Sequence, residues 1–330
     1  MSPSMLKWFR LTKPGVVLLL QITAISAVVV HDLMTEVRPS FAHTLEASLI
    51  TLVGGYLTAG GSNAINMWYD RDIDPKMKRT SKRPVPAGDI DANHALLFGV
   101  TISLLGVLWF NYTAGEVAAF WSAFSILFYV FVYTIWLKRR TVQNIVIGGF
   151  AGSTPPLIGW FVAKGPSDLD LGSLSGFLSS ISDTGSLIPF YMLGVIFIWT
   201  PPHFWALALY RSGEYGKVNI PMLNEVKGAE HTVFQSKVYC VLLLMLGSVP
   251  CFWPESGLPL LWAFVSGGLT VWYAASVWAI DPHEPFDENG RMPKAAKSFF
   301  RSLFYLGWMF LSLVVIAFIP PAWLGFLGPL

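Results

Sequence analysis

Apolar residues in this chain gather into long runs separated by short polar stretches. A helix crosses a hydrocarbon core of about 30 Å with about 18 or more apolar residues. Nine segments follow that pattern, near 15–31, 46–69, 93–110, 117–137, 143–163, 187–210, 237–253, 258–280 and 301–319. The short alternating strands of a membrane barrel are absent from the pattern. The expectation is an all-α polytopic membrane protein, with residues 1–330 forming one bundle of about nine transmembrane helices. Several segments contain Gly or Pro, as in "GGFAGSTPPLIGW", which bundled helices tolerate because neighbours satisfy the freed backbone groups. The proline pairs at 155 and 201 are expected to break their helices and widen a cavity.

Composition agrees: 54% of residues are apolar and 13% charged, and the mean hydropathy is +0.54, values that exclude an ordinary soluble domain. The net charge of +2 matters only through its distribution. Lys and Arg gather in short cytoplasmic loops. With the N-terminus inside and nine crossings, 20 of the 22 bases fall on the inside, leaving only Arg38 and Lys164 outside. The cytoplasmic loops are then about 70–92 and 211–236, and the outer loop is about 164–186. That outer stretch is rich in Gly, Ser and Asp and reads as a mobile loop or a short interfacial helix. Residues 1–14 read as a short cytoplasmic lead, not a signal peptide. Cys240 and Cys251 lie eleven residues apart on one expected helix, about 16 Å along its axis, too far to bridge. The lipid bilayer is the first expected partner, and no nucleic acid is expected.

Charge crowds together at one place, "NAINMWYDRDIDPKMKRTSKRPVPAG", residues 63–88. Asn66, Asp70 and Asp74 are spaced four and four at the end of the second helix, so they line one stripe. Asn63 lies on the same side, Asp72 nearly opposite, and Pro75 stops the helix. Carboxylates at a helix C-terminus face the negative end of its dipole, which costs about 0.3–1 kcal/mol unless a cation is present. Mg²⁺ suits this oxygen set, because it is usually held by one or two carboxylates together with substrate phosphates. Lys76, Lys78, Arg79, Lys82 and Arg83 follow, ready for the phosphate oxygens. Basic loops and helix-end aspartates also occur without any site. A second polar loop, "TPPHFWALALYRSGEYGKVNIPML", residues 200–223, brings His203, Arg211, Glu214, Tyr215 and Lys217 to the same membrane face. Ionisable groups in a membrane turn away from lipid, so the two clusters suggest a shared cavity.

The Asn66-x3-Asp70-x3-Asp74 signature resembles the first motif of the UbiA superfamily of intramembrane prenyltransferases. More narrowly, "LTKPG", "DRDIDPKMKRTSKRPVPAG", "QNIVIGGFAGSTPPLIGW" and "WTPPHFWALALYRSGEYGKVNIPML" resemble the branch of that superfamily that farnesylates haem, over about residues 8–320. The resemblance implies transfer of farnesyl from farnesyl diphosphate to a vinyl group of haem b (protoheme IX) with addition of water. It implies haem o and diphosphate as the products, with the haem destined for terminal oxidases. It implies Mg²⁺ on Asn66, Asp70 and Asp74, with Lys78, Arg79, Lys82, Arg83, Arg211 and Lys217 on the diphosphate. His203, Trp205, Tyr210, Glu214, Tyr215, Lys13 and Asn144 would meet the haem or the allylic cation, with Trp68, Tyr69 and Phe204 as further aromatic faces. Haem a synthase or terminal oxidase assembly proteins are the implied protein partners, and a bacterial plasma membrane the implied location.

The chain departs from the wider superfamily by lacking a second aspartate-rich motif. It has His203 and, eleven residues later, Glu214 where the haem branch commonly has Asp. His203 either serves the haem or is bonded to a helix carbonyl or water. Lys13, with Thr12, either meets a diphosphate or propionate or anchors the chain at the membrane surface. Gln143 and Asn144 read as polar lining. His31, His43, His94, His231 and His283 receive no role. Two rival readings are a related prenyltransferase with another aromatic or porphyrin-like acceptor, and a transporter or haem-binding protein without catalysis.

Overall fold

The computed structural model describes residues 3–249, 253, 258–288, 290–319 and 323 of the 330-residue chain. Among them there are twelve α-helices and no strand. The helices are α1 (Pro3–Leu11), α2 (Pro14–Met34), α3 (Phe41–Tyr69), α4 (Ala92–Ala114), α5 (Glu116–Leu127), α6 (Asn144–Ser153), α7 (Pro155–Lys164), α8 (Leu174–Ser182), α9 (Ile188–Tyr210), α10 (Leu223–Ser248), α11 (Leu260–Trp278) and α12 (Pro293–Phe318). A π-helical stretch, Phe128–Leu137, prolongs α5, and α6 and α7 run on as one rod of two pieces.

Nine long rods therefore stand where nine apolar segments are expected. Seven of them, all but α3 and α10, are long and apolar enough to cross a membrane. The two exceptions have the length, at 29 and 26 residues, but spend polar residues on their inner faces. Thr58, Ser62, Asn63 and Asn66 of α3 are buried, as are Thr232 and Ser236 of α10. Mean hydropathy cannot tell a polar residue facing the bundle from one facing lipid.

Consecutive rods pack side by side, and α12 returns to α2 to close the bundle. Backbones approach closely where glycines meet. A Cβ on Gly61 of α3 would stand 2.6 Å from the Gly99 carbonyl oxygen of α4, and one on Gly159 of α7 would stand 2.2 Å from the Ala24 carbonyl oxygen of α2. Small residues at such crossings are the usual means of membrane helix packing. Two large apolar cores fill the bundle. One lies among α2 and α9–α12, around Trp199, Trp262, Tyr273, Tyr305 and Phe310. The other lies among α2–α5 and α7, around Phe110, Leu157 and Phe161.

Three expectations need correction, and of the two readings of the outer stretch the short helix is the one observed. The loop expected over 211–236 is half helix, because α10 begins at Leu223 and bends at Gly228, whose φ of 82° needs glycine. The proline pairs differ from each other: Pro155 starts α7 after a break at Thr154, whereas α9 continues through Pro201 and Pro202. The outer stretch contains α8 and is tied down, with Trp121 and Trp160 indoles donating to the carbonyls of Ile181 and Thr184 at 3.0 and 2.8 Å. Residues 293–300, ahead of the last expected segment, already belong to α12. Cys240 is buried and free; Cys251 lies outside the described residues.

The α2–α7 crossing yields a test. Gly159→Ala should lower stability by about 1–3 kcal/mol through overpacking, whereas Gly152→Ala, with no atom within 4 Å of its Cβ position, should not. Thermal unfolding of both variants in the same detergent reads the difference.

Candidate active site

Helix α3 stops at Tyr69, and Asp70–Asp72 and Asp74–Lys76 follow as two 3-10 turns. Pro75 has no N–H with which to continue the ladder. Asn66 and Asp70 keep their one-turn spacing, with the Asn66 amide donating to Asp70 Oδ2 at 3.0 Å. Asp74 arrives differently from the single stripe expected: it lies off the helix. Arg83 donates to its Oδ2 at 2.8 Å, and the Thr80 hydroxyl donates to its backbone carbonyl at 2.8 Å. Both Asp70 and Asp74 are buried, at 0% and 1% exposure. Asp72 turns away, gripped by both Nη atoms of Arg139 at 2.7 and 2.8 Å, and that pairing lowers its carboxyl below the ordinary range.

The remaining walls come from far along the chain. The wide π turn at the end of α5 places the Thr134 hydroxyl 3.1 Å from the Asn66 amide, and the Lys138 ammonium donates to Asp70 Oδ2. Such π-helical insertions are frequent at functional sites. Arg139 Nη2 lies 3.6 Å from Asp70 Oδ1. From the start of α2, Lys13 donates to Asn66 Oδ1 at 2.6 Å. Its backbone is left-handed, with φ 53° and ψ 63°, a strained state for a residue with a Cβ. Burial, then the charge of Arg83, push the Lys13 ammonium well below the ordinary lysine range, while Asp70 and Asp74 oppose them.

The charge balance decides what the site can take. Two buried carboxylates face Lys13, Arg83 and Lys138, with Arg139 shared between Asp70 and Asp72. Arg83, Lys138 and Arg139 balance the acids they touch, and a multiply charged anion in the site would favour the charged form of Lys13, so each would strengthen the hold on the other. The oxygen set of Asn66, Asp70 and Asp74 also fits a hard divalent cation, and Asp70 Oδ1 is buried without a hydrogen bond. Among the described residues no three His, Cys, Asp or Glu side chains gather to hold a metal by themselves. The fit is therefore of the kind in which one or two carboxylates share the ion with substrate oxygens.

The second loop closes over the first on a small apolar cluster of Ile73, Met77, Ile145, Ala208, Tyr215 and Ile220. Arg79 reaches across to the Tyr215 hydroxyl at 3.5 Å. Arg211 pairs with Glu214 at 3.2 Å, and Arg211 Nε and Glu214 Oε2 are buried without partners. The Asn144 amide ties the start of α6 to the Thr141 and Pro221 carbonyls at 2.6 and 3.3 Å. Lys78, Lys82 and Lys217 are exposed.

Residues 37–304 match the UbiA prenyltransferase family. A protoheme IX farnesyltransferase of Parvibaculum lavamentivorans is 41% identical to this chain over 93% of it and 87% of the relative. The chain belongs to the UbiA prenyltransferase family. Two solved structures show the same fold at 15% identity. One, of a digeranylgeranylglyceryl phosphate synthase, has a TM-score of 0.69 and covers 96% of this chain and 99% of its own. The other, a UbiA homolog from Archaeoglobus fulgidus bound to DMAPP and Mg²⁺, has a TM-score of 0.60 and covers 94% and 99%.

In this UbiA prenyltransferase three expected site residues stand apart from the carboxylates. His203 is buried between α9 and α12, bonded through Nδ1 to Ser302 Oγ at 2.6 Å and stacked between Trp199 and Phe299 at 4.3 and 4.8 Å. Tyr210 stacks on Phe299 beneath Arg211 and Arg291. Trp205 packs edge-on against Tyr239. Conversely, Lys138, Arg139 and Thr134 join the site without having been singled out. The run "WLKRR" carries that signal, but in the sequence its bases mark only the inside face.

Removing one partner of a buried ion pair leaves the other charge uncompensated. Lys138→Met should therefore cost about 3–5 kcal/mol of stability. Adding Asp70→Asn should recover most of that loss. Thermal unfolding of the two variants separates this from a pair that contributes nothing.

Proposed function

We propose that this UbiA prenyltransferase transfers farnesyl from farnesyl diphosphate to a vinyl group of haem b, with addition of water, to give haem o and diphosphate. The carrying observation is the buried Asp70–Asp74 pair inside a larger set of fixed cations, a cradle for a polyanionic leaving group. The choice of haem as acceptor is supported by the name shared by relatives that cover most of the chain at 37–41% identity. The choice of metal is supported by the A. fulgidus homolog bound to DMAPP and Mg²⁺.

Asn66, Asp70 and Asp74 would hold Mg²⁺, which when bound neutralises charge on the departing diphosphate. Arg83, Lys138 and Lys13 bind and orient the phosphate oxygens, with Arg79 beside Tyr215 completing the rim. The C1–O bond of the farnesyl group breaks, and its electron pair leaves with the diphosphate. Aromatic faces of Tyr129 and Tyr133, stacked 5.5 Å apart on the π turn beside the site, stabilise the allylic cation without capturing it. The haem vinyl then donates its electron pair to C1, and water adds to the resulting carbocation beside the macrocycle with loss of a proton. The second loop supplies a carboxylate to receive that proton, because Glu214 Oε2 is buried with no hydrogen-bond partner while Oε1 is held by Arg211.

The protein is an integral membrane protein, and we place the N-terminus and both polar loops in the cytoplasm of a bacterium. Cysteines at positions 82 and 217 should then both react with a reagent applied from the cytoplasmic side, and labelling of either from the opposite side would break this topology.

The decisive experiment supplies the purified protein with farnesyl diphosphate, haem b and Mg²⁺ and identifies the extracted haem by mass. The farnesylhydroxyethyl product should appear, and chelation of the metal should stop it. Asp70→Asn or Asp74→Asn should reduce turnover by about 10²-fold or more, the scale of losing a main electrostatic contributor, while the protein still folds. A prenylated product on another acceptor, with haem untouched, would assign a different substrate.

A further inference from the structure

Beside the site, at the same end of the bundle, lies a second cavity of about 110 Å³ between the start of α6, α9 and α10. Its polar lining is Gln143, Trp205, His231, Gln235 and Tyr239. Beyond the bend at Gly228, His231, Gln235 and Tyr239 follow one another at four-residue spacing, so one face of α10 forms a wall. Every polar side chain in this lining can donate a hydrogen bond, and none is an acid. The Trp205 indole is 3% exposed, and its Nε1 is buried with no hydrogen-bond partner. An indole N–H can only donate, and a buried donor left alone costs about 1–3 kcal/mol. The cavity thus asks for an acceptor oxygen.

Size and position narrow the ligand. The volume suits a short polar arm, since a water occupies about 30 Å³; a whole porphyrin is far too large. Gln143 follows Lys138 and Arg139 along the chain, and Leu223 of the lining follows the apolar cluster that seats the second loop. The cavity therefore lies at the end of the bundle that carries the diphosphate cradle, and its exposed Gln143 and His231 mark its mouth. Haem b bears two carboxylate arms on one edge of the ring and its vinyl groups elsewhere on the perimeter. A porphyrin lying in the bilayer needs its carboxylates held at that polar rim while a vinyl group reaches the prenyl carbon.

We propose that this cavity is the subsite for a propionate carboxylate of the porphyrin acceptor, with Trp205 Nε1 as its buried donor and Gln235, Gln143, His231 and Tyr239 around it. The proposal rests on the haem-farnesylating function given above. It assigns Trp205 a hydrogen bond to the acceptor in place of an aromatic face for the allylic cation. Phosphate oxygens of a lipid headgroup share the same chemistry, and the test separates the two.

The full chain in phosphatidylcholine nanodiscs is titrated with haem b and with haem b dimethyl ester, read at the Soret band. The free acid should bind about tenfold more tightly than the ester, as one charge-assisted hydrogen bond implies. Trp205→Phe and Gln235→Leu should each bring the free acid close to the ester while leaving ester affinity unchanged. Gln235 is half-buried on the cavity wall, so its variant keeps the test open if Trp205→Phe does not fold. Equal binding of acid and ester by the unaltered protein would overturn the subsite and leave the haem function standing. Binding of farnesyl diphosphate but of neither porphyrin would overturn both. Phosphatidylglycerol competing with the free acid in the unaltered protein, and failing to do so in the Gln235 variant, would give the cavity to lipid.

Discussion

The rest of this molecule is arranged around a carboxylate that water cannot reach. Asp70 is fully buried, and moving an ion of that kind out of water carries a penalty of several kcal/mol. Compensation comes from two separate parts of the chain: Lys13 ahead of α2 through Asn66, and the consecutive Lys138 and Arg139 after the π turn. Asp74 makes the same demand and receives Arg83 from the following loop. Acids and bases depend on each other here. Without Asp70 and Asp74 the four cations would repel across a small volume, and without the cations the buried acids would lose their hydrogen-bond partners. The left-handed backbone of Lys13 is held on both sides, by its N–H on the Arg10 carbonyl and by its own carbonyl on the Val16 and Val17 N–H groups, while its ammonium meets Asn66. A charge cluster held in this way is ordered before substrate arrives, and preorganised charge is the form in which electrostatics most lowers a barrier.

The apolar frame serves that cluster by fixing where the polar ends meet. Glycine contacts bring α3 against α4 and α7 against α2 at backbone distance, so the elements carrying Lys13 and Asn66 are set by contacts that tolerate no side chain. The cluster of Ile73, Met77, Ile145, Tyr215 and Ile220 then seats one polar loop on the other. At the opposite end of the bundle polarity has a tying role. Asp32 accepts from His31, His43 and the Thr44 hydroxyl at 2.8, 3.1 and 2.7 Å, joining α2 to α3.

Much of this was legible in the sequence, and the failures have physical causes. The ends of α9 agree with expectation to within a residue, because its apolar run is bounded sharply by loops. Helix α10 began fourteen residues earlier than its apolar segment suggested, since its first three turns carry charges and bend at Gly228. The Asn66–Asp70 pair could be read from spacing alone; Asp74 could not be placed, because its position depends on the turns around Pro75. The π stretch was invisible: "FYVFVYTIWL" is apolar on every face, and no periodicity separates 3.6 from a wider turn in such a run. That blind spot hid Thr134 and Lys138. For His203 the structure supplies the partner that the sequence left open. A polar residue deep in an apolar helix invites a functional reading, yet Ser302 satisfies it across the α9–α12 interface, and a sequence does not reveal a partner 99 positions away.

The directions of the helices explain why so many bases are needed. The side chains of the cradle hang from the C-terminal ends of α3 and of the π extension of α5, where free carbonyls and the helix dipole make the potential negative. Many phosphate sites use the opposite end, where backbone N–H groups do the binding. At those two helix ends the backbone repels both the carboxylates and a diphosphate, so attraction comes from side chains, two of which arrive from elsewhere: Lys13 at the start of α2 and Arg83 in the loop before α4. Arg83, Lys138 and Arg139 balance Asp70, Asp74 and Asp72, and Lys13 adds to them when an anion draws it into its charged form. A divalent cation on the oxygen set adds positive charge on the same side. The consequence is directional. An anion is held only while it touches the side chains at the rim, and a little deeper the bundle offers apolar walls and aromatic rings. An allylic diphosphate is thus sorted along the bundle axis, with its charged end fixed at the rim and its hydrocarbon chain inside, before any bond breaks.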